Sequence, residues 1–162
     1  MSIVSRRFSR LFASAAVCAL ALSASTAHAD GKILGPTACK PYGINPSVDL
    51  TYGFSHVTNN TGAQVSIVCA LVRDNSTNTN GLQDLEVSIT DPTGGSMVCN
   101  AFSVGRNGAT LSQLRKNAGT STAPQIIDFG SALNASASRG HYAVVCEVPN
   151  GGKIHSIFYE EY

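Results

Sequence analysis

The 162-residue sequence contains no tryptophan, and only 13% of its residues are charged. The first absence argues against an antibody-type immunoglobulin domain, whose core tryptophan packs on the intersheet disulfide. It also removes the usual sugar-stacking side chain, although Tyr42, Phe54, Phe102 and other tyrosines and phenylalanines remain. Scarce charge leaves no cationic stretch to follow a phosphate backbone, so no nucleic-acid partner is expected. Without a Cys-x-x-Cys pair the chain offers no zinc ribbon, and no metal site is expected. Gly-x-Ser-x-Gly, a glycine-rich phosphate loop and His-Glu-x-x-His are all missing, so no catalytic residue and no cofactor is assigned. Past residue 22 no apolar run is long enough to span a bilayer, and no membrane insertion is expected of the mature chain.

What is present begins at the N-terminus. Arg6, Arg7 and Arg10 precede an apolar stretch from Leu11 to Leu22, and Ala27-His28-Ala29 then places small residues where a signal peptidase reads. Residues 1–29 are read as a signal peptide cleaved after Ala29, and 30–162 as a single domain, secreted or periplasmic. Cys18 leaves with the signal. So do three of the 11 lysines and arginines, which leaves 8 cations against 10 acidic residues, a formal charge of −2.

Cys39, Cys69, Cys99 and Cys146 remain. An even count in an exported chain points to disulfides, because the compartment is oxidising. Four cysteines permit three pairings, and sequence alone does not select among them. Cys39–Cys69 and Cys99–Cys146 are favoured here: the first pins a loop-like N-terminus to a strand, the second ties strands distant in sequence.

Between frequent turn residues the apolar period is close to two. Val65, Ile67, Cys69 and Leu71 share one strand face; Leu85, Val87 and Ile89 share another. Asp91-Pro92-Thr93-Gly94-Gly95 reads as a turn, so residues 85–104 read as a hairpin. Tyr142, Val144, Cys146 and Val148 form a later strand face. Pro149-Asn150-Gly151-Gly152 then turns into a last strand, in which Ile154, Ser156 and Phe158 face one side and His155, Ile157 and Tyr159 the other. Thr110 to Lys116 suits a helix or a strand equally. The fold class is all-β: an antiparallel β-sandwich, jelly-roll-like or immunoglobulin-like, of seven to eight strands with two disulfides.

Several residues invite a functional reading. Arg73 and Asp74 close the Cys69 strand, and are read as strand-end fasteners: Arg73 to a carboxylate or loop carbonyls, Asp74 to turn N–H groups. The polar run Asn75–Gly81 resembles a calcium loop only in part: counted from Ser76, Asn78, Asn80 and Gly81 are in register, but position one is Ser instead of Asp and position twelve is Val87 instead of Glu. His141 and His155 sit on strands read as neighbours joined by the 149–152 turn, and form a possible ligand or surface site. A small secreted hydrolase would need two or three of His56, His141, His155, Asp128 and Glu147 to gather in an open pocket. Glu160 and Glu161 are expected to fray at the C-terminus.

The run Val65-Ser66-Ile67-Val68-Cys69-Ala70-Leu71-Val72-Arg73-Asp74-Asn75, preceded by Cys39 and Pro41-Tyr42-Gly43, resembles a group of small exported bacterial proteins. Their corresponding strand carries Cys-Pro-Leu-Val-Arg-Asp. Tyr142, Cys146 and Pro149 fit their Tyr-x-x-x-Cys-x-x-Pro element, while Ala70 departs from their proline. The resemblance implies an exported, disulfide-stapled β-domain and brings no catalytic residue. The expected role is a non-catalytic binding or structural module of the periplasm or cell surface, meeting a protein or glycan partner at the envelope.

Overall fold

A computed structural model describes residues 31–43, 49–73, 80–131, 133 and 139–162. The signal segment, Asp74 and the run 75–79 lie outside the described residues. Eleven strands are present among them: β1 (Lys32–Leu34), β2 (Cys39–Pro41), β3 (Leu50–Tyr52), β4 (Val57–Asn59), β5 (Val65–Leu71), β6 (Leu82–Thr90), β7 (Val98–Val104), β8 (Thr110–Asn117), β9 (Gln125–Asp128), β10 (His141–Val148) and β11 (Lys153–Glu161). The count exceeds seven to eight because β1 to β4 are three residues each, too short to display alternation. One 3₁₀ turn, Pro36–Ala38, joins β1 to β2.

The strands build an antiparallel sandwich. One sheet runs β3-β4-β11-β6-β9, with β1 also on β11; the other runs β2-β5-β10-β7-β8. Their inward faces interdigitate as a core containing Ile67, Leu85, Val87, Ile89, Tyr142, Val144, Ile154 and Ile157. Each such side chain contributes about 1.5–3 kcal/mol on burial. Both disulfides lie in the second sheet and face the core. Cys39–Cys69 joins residues directly opposite on β2 and β5, and Cys99–Cys146 does the same on β7 and β10.

Three expectations are corrected. Residues 85–104 do not form a hairpin: β6 belongs to the first sheet and β7 to the second, so the turn between them crosses the sandwich. The turn 149–152 likewise carries the chain from β10 in one sheet to β11 in the other. Tight turns rich in Gly and Pro suit an intersheet arch as well as a hairpin, and period-two alternation does not say which sheet a strand joins. The third concerns β11. Its pairing with β6 slips between Ile154 and Ser156, so His155 is an extra, bulged residue. The bulge shifts the phase, and Ile154, Ile157 and Tyr159 all point into the core.

The arches have specific fasteners. Asp91 is fully buried and its carboxylate accepts N–H bonds from Thr93 (3.0 Å), Ser96 (2.8 Å) and Met97 (2.8 Å). Burial raises its pKa, but the bonds from Met97, Thr93 and Ser96 outweigh that and hold it at about 2. Gly94, at φ +66°, sits where a Cβ would meet the Thr120 carbonyl at 2.6 Å. At the other arch, buried Asn59 donates to the Val148 and Ala63 carbonyls (2.8 and 2.7 Å), and the backbone of Gly151 and Gly152 bonds to it.

Candidate functional site

Strand parity sets the outer face of the disulfide-bearing sheet. With Cys69, Cys99 and Cys146 inward, their neighbours Val68, Ala70, Asn100, Val145 and Glu147 face out, and so do Phe102, Val104, Ala143 and His141. Cross-strand rows follow from the register. Lys40, Val68, Val145, Asn100 and Arg115 stand in one row across all five strands; Ala70, Ala143, Phe102 and Gln113 stand in the next. His141 opposes Val104 at the far end.

The small side chain of Ala143 leaves a trough beside Phe102. It is an open groove of about 370 Å³ lined by Tyr42, Val68, Asn100, Phe102, Val104, Thr110, His141, Ala143 and Val145. Its floor is aliphatic and aromatic, and the polar groups (the Asn100 amide, the Thr110 hydroxyl, the His141 ring and the Tyr42 phenol) sit among that apolar surface. Tyr42 is 63% exposed, a large aromatic left in solvent at the groove edge. An apolar floor with a few convergent polar groups suits a ligand with flat apolar faces and hydroxyl edges. Among the described residues no group of three or more His, Cys, Asp or Glu side chains could hold a metal.

His141 and His155 are not brought together. They lie on β10 and β11, which belong to different sheets, because the turn between them is an arch. His141 lines the groove. His155 is turned by its bulge toward His56, ring centroids 5.8 Å apart, with its Nε2 2.8 Å from the Thr90 hydroxyl. Burial lowers the His155 pKa, and the nearby His56 and Lys153 charges lower it further. The remaining hydrolase candidates are dispersed. Asp128 is on β9 in the first sheet, where its Oδ1 accepts the Gly130 N–H at 2.7 Å. Glu147 is on the outer face of the second sheet, where its Oε2 accepts from Gln64 at 3.3 Å.

Arg73, just beyond β5, reaches across the sandwich. Its Nε donates to Glu161 Oε1 at 3.2 Å, with both side chains nearly buried, and its guanidinium lies 5.1 Å from the centre of the Tyr142 ring. Glu161 therefore does not fray: it is an inward residue of β11, 3% exposed. Arg73 also approaches the Gly140 carbonyl at 3.5 Å. Nearby, the Tyr159 hydroxyl donates to the Val72 carbonyl at 2.9 Å.

The sequence matches no family model and no curated protein. Several solved structures share its architecture. The C-terminal CBM6 module of a marine laminarinase from Zobellia galactanivorans superposes with a TM-score of 0.50 at 10% identity, covering 82% of this chain and 100% of that one. The likeness is one of fold. A second CBM6 module, from Clostridium stercorarium and solved with cellobiose, gives 0.48 at 10% identity over 81% of this chain and 94% of its own. A xylan-binding CBM86 module from Roseburia intestinalis gives 0.47 at 11% identity, over 81% and 95%.

Of the groove residues, His141 is singled out by the sequence, and Tyr42 and Phe102 count among its aromatics. Asn100, Thr110, Ala143 and Val145 carry no motif. One signal does mark the middle of β10: Tyr142–Cys146 is apolar at both parities, which a strand with one wet face does not need.

Proposed function

We propose that the protein is an exported, non-catalytic carbohydrate-binding module whose ligand lies in the groove over β5, β10 and β7. The observation that carries this reading is the groove's make-up: Phe102 and Tyr42 offer ring faces, the small Ala143 leaves space between them, and Asn100, Thr110 and His141 supply hydrogen bonds. Pyranose rings present apolar C–H faces and hydroxyl edges, and this arrangement matches both. The fold is that of the laminarinase CBM6 module, a carbohydrate-binding module. The specific reading rests on this chain's own groove.

Export is part of the proposal. The Arg-rich start, the apolar stretch and Ala27-His28-Ala29 fit a signal cleaved after Ala29, leaving 30–162 as one β-sandwich domain, secreted or periplasmic. Two buried disulfides fit an oxidising compartment. Among the described residues no helix is long and apolar enough to cross a membrane.

Affinity electrophoresis of the full chain through gels containing β-glucan, xylan or pectic polysaccharides tests the reading. Retardation by at least one of them is expected. Phe102→Ala and Tyr42→Ala should each weaken it about tenfold, which corresponds to ~1.4 kcal/mol. Phe102 and Tyr42 face outward, so their replacement should leave the melting temperature nearly unchanged. Free migration through every polysaccharide, or retardation indifferent to both substitutions, would remove the groove from consideration.

A further inference from the structure

The row of residues crossing the groove floor begins and ends on a cation. Lys40 on β2 is directly opposite Val68, Val68 opposite Val145, Val145 opposite Asn100, and Asn100 opposite Arg115 on β8. Four interstrand steps of about 4.8 Å separate the two end residues by roughly 19 Å. Both are exposed and stand on the same side of the sheet as the groove residues, since Val68 and Asn100 line it. Among the described residues neither Lys40 nor Arg115 has an ion-pair partner. The acidic side chain on this outer face, Glu147, stands one row away between Ser66 and Val98 and is engaged by Gln64.

This is an unusual distribution for a chain whose mature part carries a formal charge of −2. A strand-edge lysine has an ordinary structural role, since cations at sheet edges discourage edge-to-edge pairing. Lys40 and Arg115 do stand on the two edge strands. That role asks nothing of their row, however, and it does not explain why both project on the groove side of the sheet. A ligand laid along the row would meet a cation at each end, an amide near the middle and aliphatic floor between.

We infer that the groove takes an acidic polysaccharide, a chain bearing uronic-acid carboxylates, laid across the strands from Lys40 to Arg115. The inference rests on the glycan-binding reading and narrows it. Ring faces would settle on Val68, Val145 and the Phe102 edge of the trough, and carboxylates would meet the Lys40 ammonium and the Arg115 guanidinium fork. Cations roughly 19 Å apart suit a chain several sugars long whose carboxylates recur along it, one meeting each cation; a densely sulfated chain would call for a cluster of cations. Both sites are exposed, so the charge contribution is screened by salt.

Polygalacturonate and its fully methyl-esterified form share a backbone and differ in charge, which makes them the decisive pair. Isothermal titration of the full chain with each, at ~20 mM and ~500 mM salt, should show polygalacturonate bound about tenfold more tightly at low salt. That preference should shrink at high salt. K40Q/R115Q should bring polygalacturonate down to the level of the ester, with an unchanged melting temperature confirming the fold. Equal binding of the two forms, or a preference that survives K40Q/R115Q, overturns the acidic-ligand inference and leaves glycan binding standing. Binding of neutral β-glucan or xylan without polygalacturonate has the same consequence. Failure to bind any of these polysaccharides overturns the inference and the glycan-binding reading together.

Discussion

In the five-stranded sheet, Cys39 is bonded to Cys69 across β2 and β5, and Cys99 to Cys146 across β7 and β10, so four strands are covalently paired. Among the described residues the six-stranded sheet has no such link. Besides the shared core, polar fasteners tie it to its partner: the Asp91 carboxylate at one arch, Asn59 at the other, and Arg73 with Glu161 at the opposite end of β11. The stapled sheet is also the one that carries the groove. A surface assembled from side chains on β5, β7, β8 and β10 keeps its spacing only if the strands do not slide or open. The polar fasteners meet a different need, since they hold the places where the chain passes from one sheet to the other.

Removing a staple should be the strongest way to break this contrast. Cys99→Ala/Cys146→Ala frees a loop spanning a sequence separation of 47. In chain-entropy terms that costs about 4 kcal/mol, a large part of a small domain's stability. Urea unfolding should show the loss as a lowered midpoint. Native-state hydrogen exchange should place the new openings in β7 and β10, with β6 and β11 affected less. Equal acceleration in both sheets would mean that the disulfide acts on the whole sandwich, and the division of labour between the sheets would fail.

Next in size is the clasp between sheets. Arg73→Met leaves Glu161 buried without its cation, and breaking a buried pair costs about 3 kcal/mol or more. The comparison is sharpened by R73M/E161L, which removes the stranded charge as well. Most of the lost stability should return in the double variant, because an apolar pair of similar size avoids the desolvation cost of both ions. If the single and double variants unfold at the same urea concentration, the pair is no clasp and Arg73 acts mainly through its contact with Tyr142.

How much of this was legible in the sequence differs by element. Alternation around Cys69, Cys99 and Cys146 identifies strands and their inward faces, because side-chain direction in a strand has a fixed period. It does not identify sheets. Both turns read as hairpins, at 91–95 and 149–152, are arches, and the information that decides this lies in long-range pairing of β10 with β5 and β7, and of β11 with β6. The His155 bulge was visible in a limited sense, since apolar residues at 154, 157 and 159 break the period by one. The groove was harder. It depends on Ala143 standing beside Phe102 on a different strand, with Val68 and Asn100 flanking Val145, and no local pattern reports a cross-strand row. Arg73 was readable as a fastener type, but Glu161, 88 residues away, was not.

The smallest effect expected is also the one with the clearest pH signature. Asp91 has a folded pKa of about 2, below the 3.8 of a free aspartate side chain that it regains on unfolding. A carboxyl depressed in this way contributes stability that is complete above about 4 and is lost as pH falls from there through about 2. The difference corresponds to about 2 kcal/mol at neutral pH. Asp91→Asn keeps an acceptor for one N–H but turns a donor toward the N–H groups of Ser96 and Met97, so it should cost about that much at pH 7. Thermal unfolding of the native and Asp91→Asn proteins from pH 7 down to pH 2 should therefore give melting curves that converge as the acid protonates Asp91. Since the arch belongs to neither sheet alone, hydrogen exchange in the variant should quicken at the 91–97 turn and leave the strands flanking the groove protected. Melting curves that stay parallel down to pH 2 would assign the Asp91 effect to packing instead of charge.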